Sequence, residues 1–267
     1  MKKACVWGIA LISLFFICRS LWFSYHKSQG FTLSKMSAAI SNRKEWEVAK
    51  PDQKQEEQLK EIFKQKFHFL ASGYQSYAFI SEDERTIIKF FRMKRLSYAL
   101  SDHLFHPDKV EMHKKNLSLI FNAYKLAYEE LREDAGLLYI HLNKTNFLKT
   151  KLSITDQGGN ESLVDLDKVH FIVQEKAEPL FVHLRKFIDQ NDKKGFENAK
   201  DALLALIKRR QGKEIADEDK GIAENYGFIG ERPIQFDIGR IYKGKIEGEY
   251  EEILQRLNWW MHLNPFP

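Results

Sequence analysis

The run Asn225 to Arg240, NYGFIGERPIQFDIGR, constrains this chain more than any other segment. It reads as a short strand, a tight turn and a second short strand. Asn225 enters this hairpin, and Asp237 leaves it twelve positions later within Asp-Ile-Gly. An amide oxygen and a carboxylate at opposite ends of a two-strand hairpin can converge on one divalent cation. Mg²⁺ favours such hard oxygen ligands and shares them with phosphate. An ordinary surface hairpin with a polar residue at each end satisfies the same pattern, so residues elsewhere must decide.

A second hairpin lies upstream. Residues 70–80 read as a strand, the Ser-Glu-Asp-Glu-Arg run as a turn, and residues 86–91 as another strand. Gly73 permits close backbone approach at a loop tip, and Ser76 is a small hydroxyl donor. Lys89 sits inside a β-branched and aromatic run. A lysine there either guards an edge strand or has a polar target. Taken in order, Gly73, Lys89, Asn225 and Asp237 resemble the protein kinase-like superfamily. They match its glycine-rich loop, its strand lysine, its catalytic-loop asparagine and its Asp-Phe-Gly aspartate, with Ile238 in place of the phenylalanine. Ala71 and Ser76 stand where the first and third glycines are expected. The resemblance implies an α+β, two-lobed kinase-like fold: an N-terminal antiparallel sheet with a long helix, then a helical C-terminal lobe. It also implies that Gly73 and Ser76 cover the phosphates of ATP or another nucleotide, that Lys89 contacts them, and that Asn225 and Asp237 hold Mg²⁺.

The remaining parts of that pattern are unevenly present. A helix is expected over residues 109–133, where Leu117, Ile120, Tyr124, Ala127 and Leu131 recur on one face. The family would place a glutamate on this helix opposite Lys89, but Glu111, Glu129 and Glu130 all point away from that face. Strands are expected over residues 136–142, 148–155 and 163–174, the last two joined by a turn at 156–160. Residues 171–180 resemble the strand and hinge that bind an adenine edge, or form a plain strand end and turn. Two helices follow, near residues 180–190 and 195–211. In the next loop Lys220 occupies the position of the family's catalytic aspartate. Asp219 and Asp217 are the nearest carboxylates able to orient an acceptor hydroxyl and take its proton; a solvated acidic loop explains them equally well. Only 28 residues follow Gly239, with no Ala-Pro-Glu, so the resemblance covers residues 65–245 with a reduced C-terminal lobe. A tail helix near residues 250–257 precedes Trp259 and Trp260, read as a packing plug under the small lobe.

Composition bounds the context. The chain of 267 residues carries a net charge of +5 without a clustered basic face, which argues against nucleic acid as a partner. Lys2 and Lys3 precede an apolar run over residues 4–23, interrupted by Arg19, that suits a membrane span or a signal peptide. The absence of a small-x-small cleavage site favours a retained, single-pass membrane anchor. Basic residues on both sides of the run leave its orientation open. Both cysteines, Cys5 and Cys18, lie inside it, so the rest of the chain has no disulfide or thiolate ligand. The expected order is an anchor or signal over 1–26, a linker over 27–54, a kinase-like N-lobe over 55–178 and a reduced C-lobe over 179–267. The best reading is a membrane-anchored, kinase-like nucleotide-binding protein, a Mg-dependent phosphotransferase if catalysis is retained, acting on an unknown protein or small-molecule acceptor. A catalytically inactive pseudokinase serving as a binding or scaffold module is the main alternative. An unrelated α/β surface protein is the second.

Overall fold

The computed structural model describes residues 30–38, 40–93, 107–219 and 221–267; the expected membrane segment lies outside them. No helix among the described residues is long and apolar enough to cross a membrane. The architecture is mixed α/β, with a seven-stranded sheet followed by a mainly helical half.

The sheet grows from alternation of side chains. Strands β1 (Phe67–Ser72), β2 (Ser76–Ser81) and β3 (Thr86–Phe91) form an antiparallel meander. Successive side chains point to opposite faces, and both faces of β3 are used. Ile88 and Phe90 enter one core, against α1 (Gln53–Lys64), while Phe91 enters the other, against α2 (Pro107–Glu130). Lys89 shares the face of Phe91 and therefore looks toward α2. This is why a lysine survives in a central strand: β3 is flanked by β2 and by β7 (Phe171–Glu175), so it is no edge.

One connection departs from expectation. After β4 (Leu137–His141), the hairpin β5 (Lys151–Thr155) and β6 (Glu161–Asp165) crosses to the far side of the sheet before β7 returns beside β4. There β5 pairs with β1 in parallel, so the sheet is not wholly antiparallel. The apolar run expected as one strand over 163–174 is consequently two strands, split by a helical turn at Leu166–Lys168.

Residues 30–50, expected as linker, are packed onto the sheet. Phe31, Met36 and Trp46 are buried. Trp46 meets Phe121 of α2 edge-on at 4.8 Å. Asn42 and Lys144 exchange two hydrogen bonds of 2.7 and 2.9 Å, and Arg43 and Asn143 exchange two more of 3.0 and 2.8 Å. Polar composition concealed this segment because its anchors are single aromatic and methionine side chains rather than a periodic stripe.

The helical half comprises α3 (Leu180–Asp189), α4 (Lys193–Gly212), the single turn α5 (Ile222–Asn225) and α6 (Glu249–Leu263), packed around Leu184, Leu203, Ile207 and Leu257. The tail aromatics do not plug the sheet. Trp260 stacks on Phe181 of α3 at 4.5 Å, within the helical half, and Trp259 is exposed. The hairpin of β10 (Tyr226–Ile229) and β11 (Arg232–Gln235) forms as expected, its turn closed by Gly230 at a positive φ of 61°. β10 also pairs with β8 (Glu178–Pro179), inside the segment 171–180 expected as strand and hinge. A side chain at Gly227 would collide with the Glu178 carbonyl, so glycine is required where these strands meet.

If residues 30–50 belong to the fold, Trp46→Ala should lower unfolding stability by about 3–5 kcal/mol, as for other fully buried aromatics. Urea unfolding measures it. A loss under about 0.5 kcal/mol, typical of a surface site, would return the segment to the status of linker.

Candidate functional site

Five separate stretches meet in one small cleft of about 160 Å³ between sheet and helical half. The β1–β2 loop contributes Gly73, Gln75 and Ser76, β3 contributes Lys89 and α2 contributes Tyr124. Asp219 comes from the loop after β9 (Ile215–Asp217), and Asp237, Gly239 and Arg240 from the segment after β11. Of the residues expected at a site, Gly73, Ser76, Lys89, Asp219 and Asp237 are thus brought together.

The loop over the cleft is held by its own backbone and by Arg92, which sequence reading missed. Gly73 N–H donates to the Ser76 carbonyl at 2.9 Å. Arg92 donates from Nη1 to the Gly73 carbonyl at 2.8 Å, and its backbone N–H donates to the Gln75 carbonyl at 2.8 Å. A Cβ at Gly73 would sit 3.6 Å from the Ser76 carbonyl, an ordinary contact, so the turn itself does not demand glycine. What glycine leaves is bare backbone facing the cleft. The Gln75 amide lies against Gly239, closing the loop tip onto the opposite wall.

Lys89 is half-buried, and its Nζ donates to the Phe236 carbonyl at 2.8 Å. Burial pushes its pKa down, while the nearby Asp237 carboxylate opposes that shift. Tyr124 is buried beside them. Burial raises its phenol well above the usual range, and Asp237 adds to the effect. A phenol, not a carboxylate, therefore occupies the helix face that looks at Lys89. The apolar periodicity of α2 made Tyr124 read as plain core; its hydroxyl was the signal that could have marked it.

Asp219 and Asp237 are exposed in the cleft, and Asn225 lies buried beneath both. The Asn225 carbonyl accepts the N–H groups of Phe236 at 2.8 Å and Asp237 at 3.3 Å, and its Nδ2 donates to the Asp219 carbonyl at 3.4 Å. Asn225 is thus tied to the two acidic segments, and it is not part of the cleft wall. No cluster of three or more acidic, histidine or cysteine side chains suited to a metal occurs among the described residues. The acidic groups that line the cleft are the exposed carboxylates of Asp219 and Asp237, which would hold Mg²⁺ only with further oxygen ligands from phosphate or water.

Asp217, expected as an alternative catalytic carboxylate, points away from the cleft. It is 2% exposed, and Gln235 donates to it at 2.5 Å. The cause is the strand β9: it pairs with β12 (Ile241–Lys243), placing Asp217 opposite Ile241 and turning its side chain into the interior. Burial pushes its pKa up to about 6, against the favourable effects of the Asp219 N–H and Arg210.

No protein-family model matches the chain, and no curated protein matches it. Among solved structures it is similar to a streptomycin–ATP–APH(2")-IIa ternary complex, at 13% identity over 79% of this chain and 78% of that one, with a TM-score of 0.30.

The Asp217 shift has a definite sign. An acid whose folded pKa is raised stays protonated in the native state while the unfolded chain ionises, so its ionisation weakens the fold as pH rises from about 4 through about 6. Replacing Asp217 with Asn removes that dependence. Between about pH 4 and pH 7 the stability of Asp217→Asn relative to wild type should move in the variant's favour by about 2–3 kcal/mol. Denaturant unfolding across that range reads it, and parallel curves would show that Asp217 ionises freely.

Proposed function

We propose that this chain is a kinase-like nucleotide-binding protein whose cleft takes the phosphates of ATP or a related nucleotide with Mg²⁺. One observation carries the reading: the Gly73–Ser76 loop, an inward-facing lysine and two exposed carboxylates, drawn from stretches far apart in sequence, line the same cavity. An accidental set of motif matches has no reason to converge.

In this reading the loop N–H groups and Ser76 lie over the phosphates, and Lys89 exchanges its bond to the Phe236 carbonyl for one to phosphate oxygen. Asp237, with Asn225 below it, faces the metal. Bound Mg²⁺ would neutralise charge on the phosphates. Asp219 is the carboxylate placed to orient an acceptor hydroxyl and take its proton. The cleft is smaller than the roughly 300–1,000 Å³ of ordinary ligand sites, so Gln75 must leave Gly239 as a whole nucleotide enters. We propose in addition that residues 4–23 tether the domain to a membrane, a reading supported by their apolar length alone.

A specific feature favours binding over rapid turnover. Tyr124 supplies no negative charge opposite Lys89, so the lysine is not held in place by a helix carboxylate as in active kinases. Phosphoryl transfer relies on all positioning groups together. The intact chain should bind ATP more tightly with Mg²⁺ than without, read as a larger thermal shift, and Asp237→Ala should remove the Mg²⁺-dependent part while leaving the fold intact. Equal shifts in both proteins would sink Asp237 as metal ligand. ATP hydrolysis and autophosphorylation should fall far below the kinase range of about 1–100 per second; turnover within that range, lost in Asp219→Asn, would instead establish an active enzyme.

A further inference from the structure

We infer that Asp217 is a positioning residue that holds the two cleft carboxylates, Asp219 and Asp237, in register with each other, and that the C-terminal helix α6 braces it through Arg210. This role rests on the nucleotide-binding reading and adds to it a device outside the cleft.

Each oxygen of the Asp217 carboxylate is committed to a different acidic segment. Oδ1 accepts the backbone N–H of Asp219 at 2.8 Å. Oδ2 accepts Nε2 of Gln235 at 2.5 Å, and the same Nε2 lies 3.3 Å from the carbonyl of Asp237. One carboxylate therefore links the loop bearing Asp219 to the strand end bearing Asp237. The backbone repeats the link: Glu218 N–H donates to the Arg240 carbonyl at 3.3 Å, and β9 pairs with β12 just beyond.

Behind this pair stands Arg210, at the end of α4. Its Nη1 is 3.8 Å from Asp217 Oδ2, and its Nη2 is bonded to Glu249 in the first turn of α6. Gln211 reaches the other Glu249 oxygen at 3.4 Å. Arg210, Asp217, Gln235 and Glu249 are all at most 5% exposed. The cluster is not fully paired, since Arg210 Nε and Nη1 and Gln235 Oε1 have no hydrogen-bond partner. Desolvating such a group is expensive, and well-packed apolar residues often serve stability as well or better. Stability is thus a poor reason for a buried arginine between two acids here. Geometry is a better one: the chain from α6 through Glu249, Arg210, Asp217 and Gln235 ends on the backbone of Asp219 and Asp237, the two residues whose carboxylates are exposed in the cleft.

The test is Gln235→Met in the intact chain, which removes the donor to the Asp217 carboxylate and the Asp237 carbonyl at nearly constant volume and replaces no residue of the cleft wall. ATP affinity is measured calorimetrically without and with Mg²⁺, and amide exchange is followed at residues 218–221 in ligand-free protein. The expected result is unchanged affinity without Mg²⁺, an affinity gain from Mg²⁺ reduced about tenfold or more, as for other groups that orient metal ligands, and faster exchange at 218–221. Should Gln235→Met not fold, Glu249→Gln carries the same expectation with a smaller loss. A variant with the wild-type Mg²⁺ gain overturns the role, as does equal weakening with and without Mg²⁺, which marks a structural effect only. A wild-type chain with no Mg²⁺ gain removes the nucleotide reading itself, and this role with it.

Discussion

The hydrogen bond from Lys89 to the Phe236 carbonyl joins the sheet to the helical half beside the cleft. It exists because β3 is central and alternates. With Ile88 and Phe90 committed to one core and Phe91 to the other, the side chain of Lys89 must leave the sheet on the α2 face. There its ammonium is buried and needs a polar partner. The carbonyl directly before Asp237 supplies one, and Gln174 of β7 approaches the same carbonyl at 3.3 Å. Two donors from adjacent strands thus fix the backbone that presents Asp237. The position of the acidic residue is a consequence of sheet alternation on one side and hairpin geometry on the other.

Much of this was legible in sequence because it is carried by local patterns. The Asn225–Arg240 hairpin announced itself through its turn residues and short apolar strands, and Lys89 stood out as a charge in a β-branched run. The length of α2 followed from its apolar periodicity. What failed were features set by long-range packing. The β5–β6 hairpin contains nothing that says it pairs beyond β1. Asp217 and Asp219 are two residues apart in an acidic stretch, and only the pairing of β9 with β12 sends one inward and leaves the other in the cleft. Tyr124 belongs to a periodic apolar stripe, and periodicity cannot tell a ring in a core from a ring whose hydroxyl reaches a site.

The sheet is covered on both faces, and that constrains how the cleft can respond to a ligand. α2 lies on one side; α1 and residues 31–36 lie on the other. Residues 42–46 clasp the β4–β5 connection, and Arg43 also donates to Ser118 on α2 at 2.9 Å. Lys125 of α2 donates to the Glu45 carbonyl at 3.0 Å. A helix pinned at several points along its length cannot swing as a unit without losing those bonds and the Trp46–Phe121 contact. Adjustment at the site must then come from the other wall, chiefly the β1–β2 loop, whose tip is held by Arg92 and by Gln75 lying on Gly239.

This division of labour bears on the absent helix carboxylate. In a fold where the helix swings, a glutamate opposite the lysine reports the helix position through an ion pair. Here α2 is fixed by packing and by the segment before α1, so no charge is needed to hold it. A buried phenol facing Lys89 and Asp237 adds no third charge to a site with a desolvated ammonium and a carboxylate already in it. It also leaves the ammonium without a competing acidic partner on the helix. Lys89 therefore has one backbone carbonyl as its hydrogen-bond partner and the Asp237 carboxylate as its nearby charge, and on the nucleotide-binding proposal it is the group that would turn to phosphate.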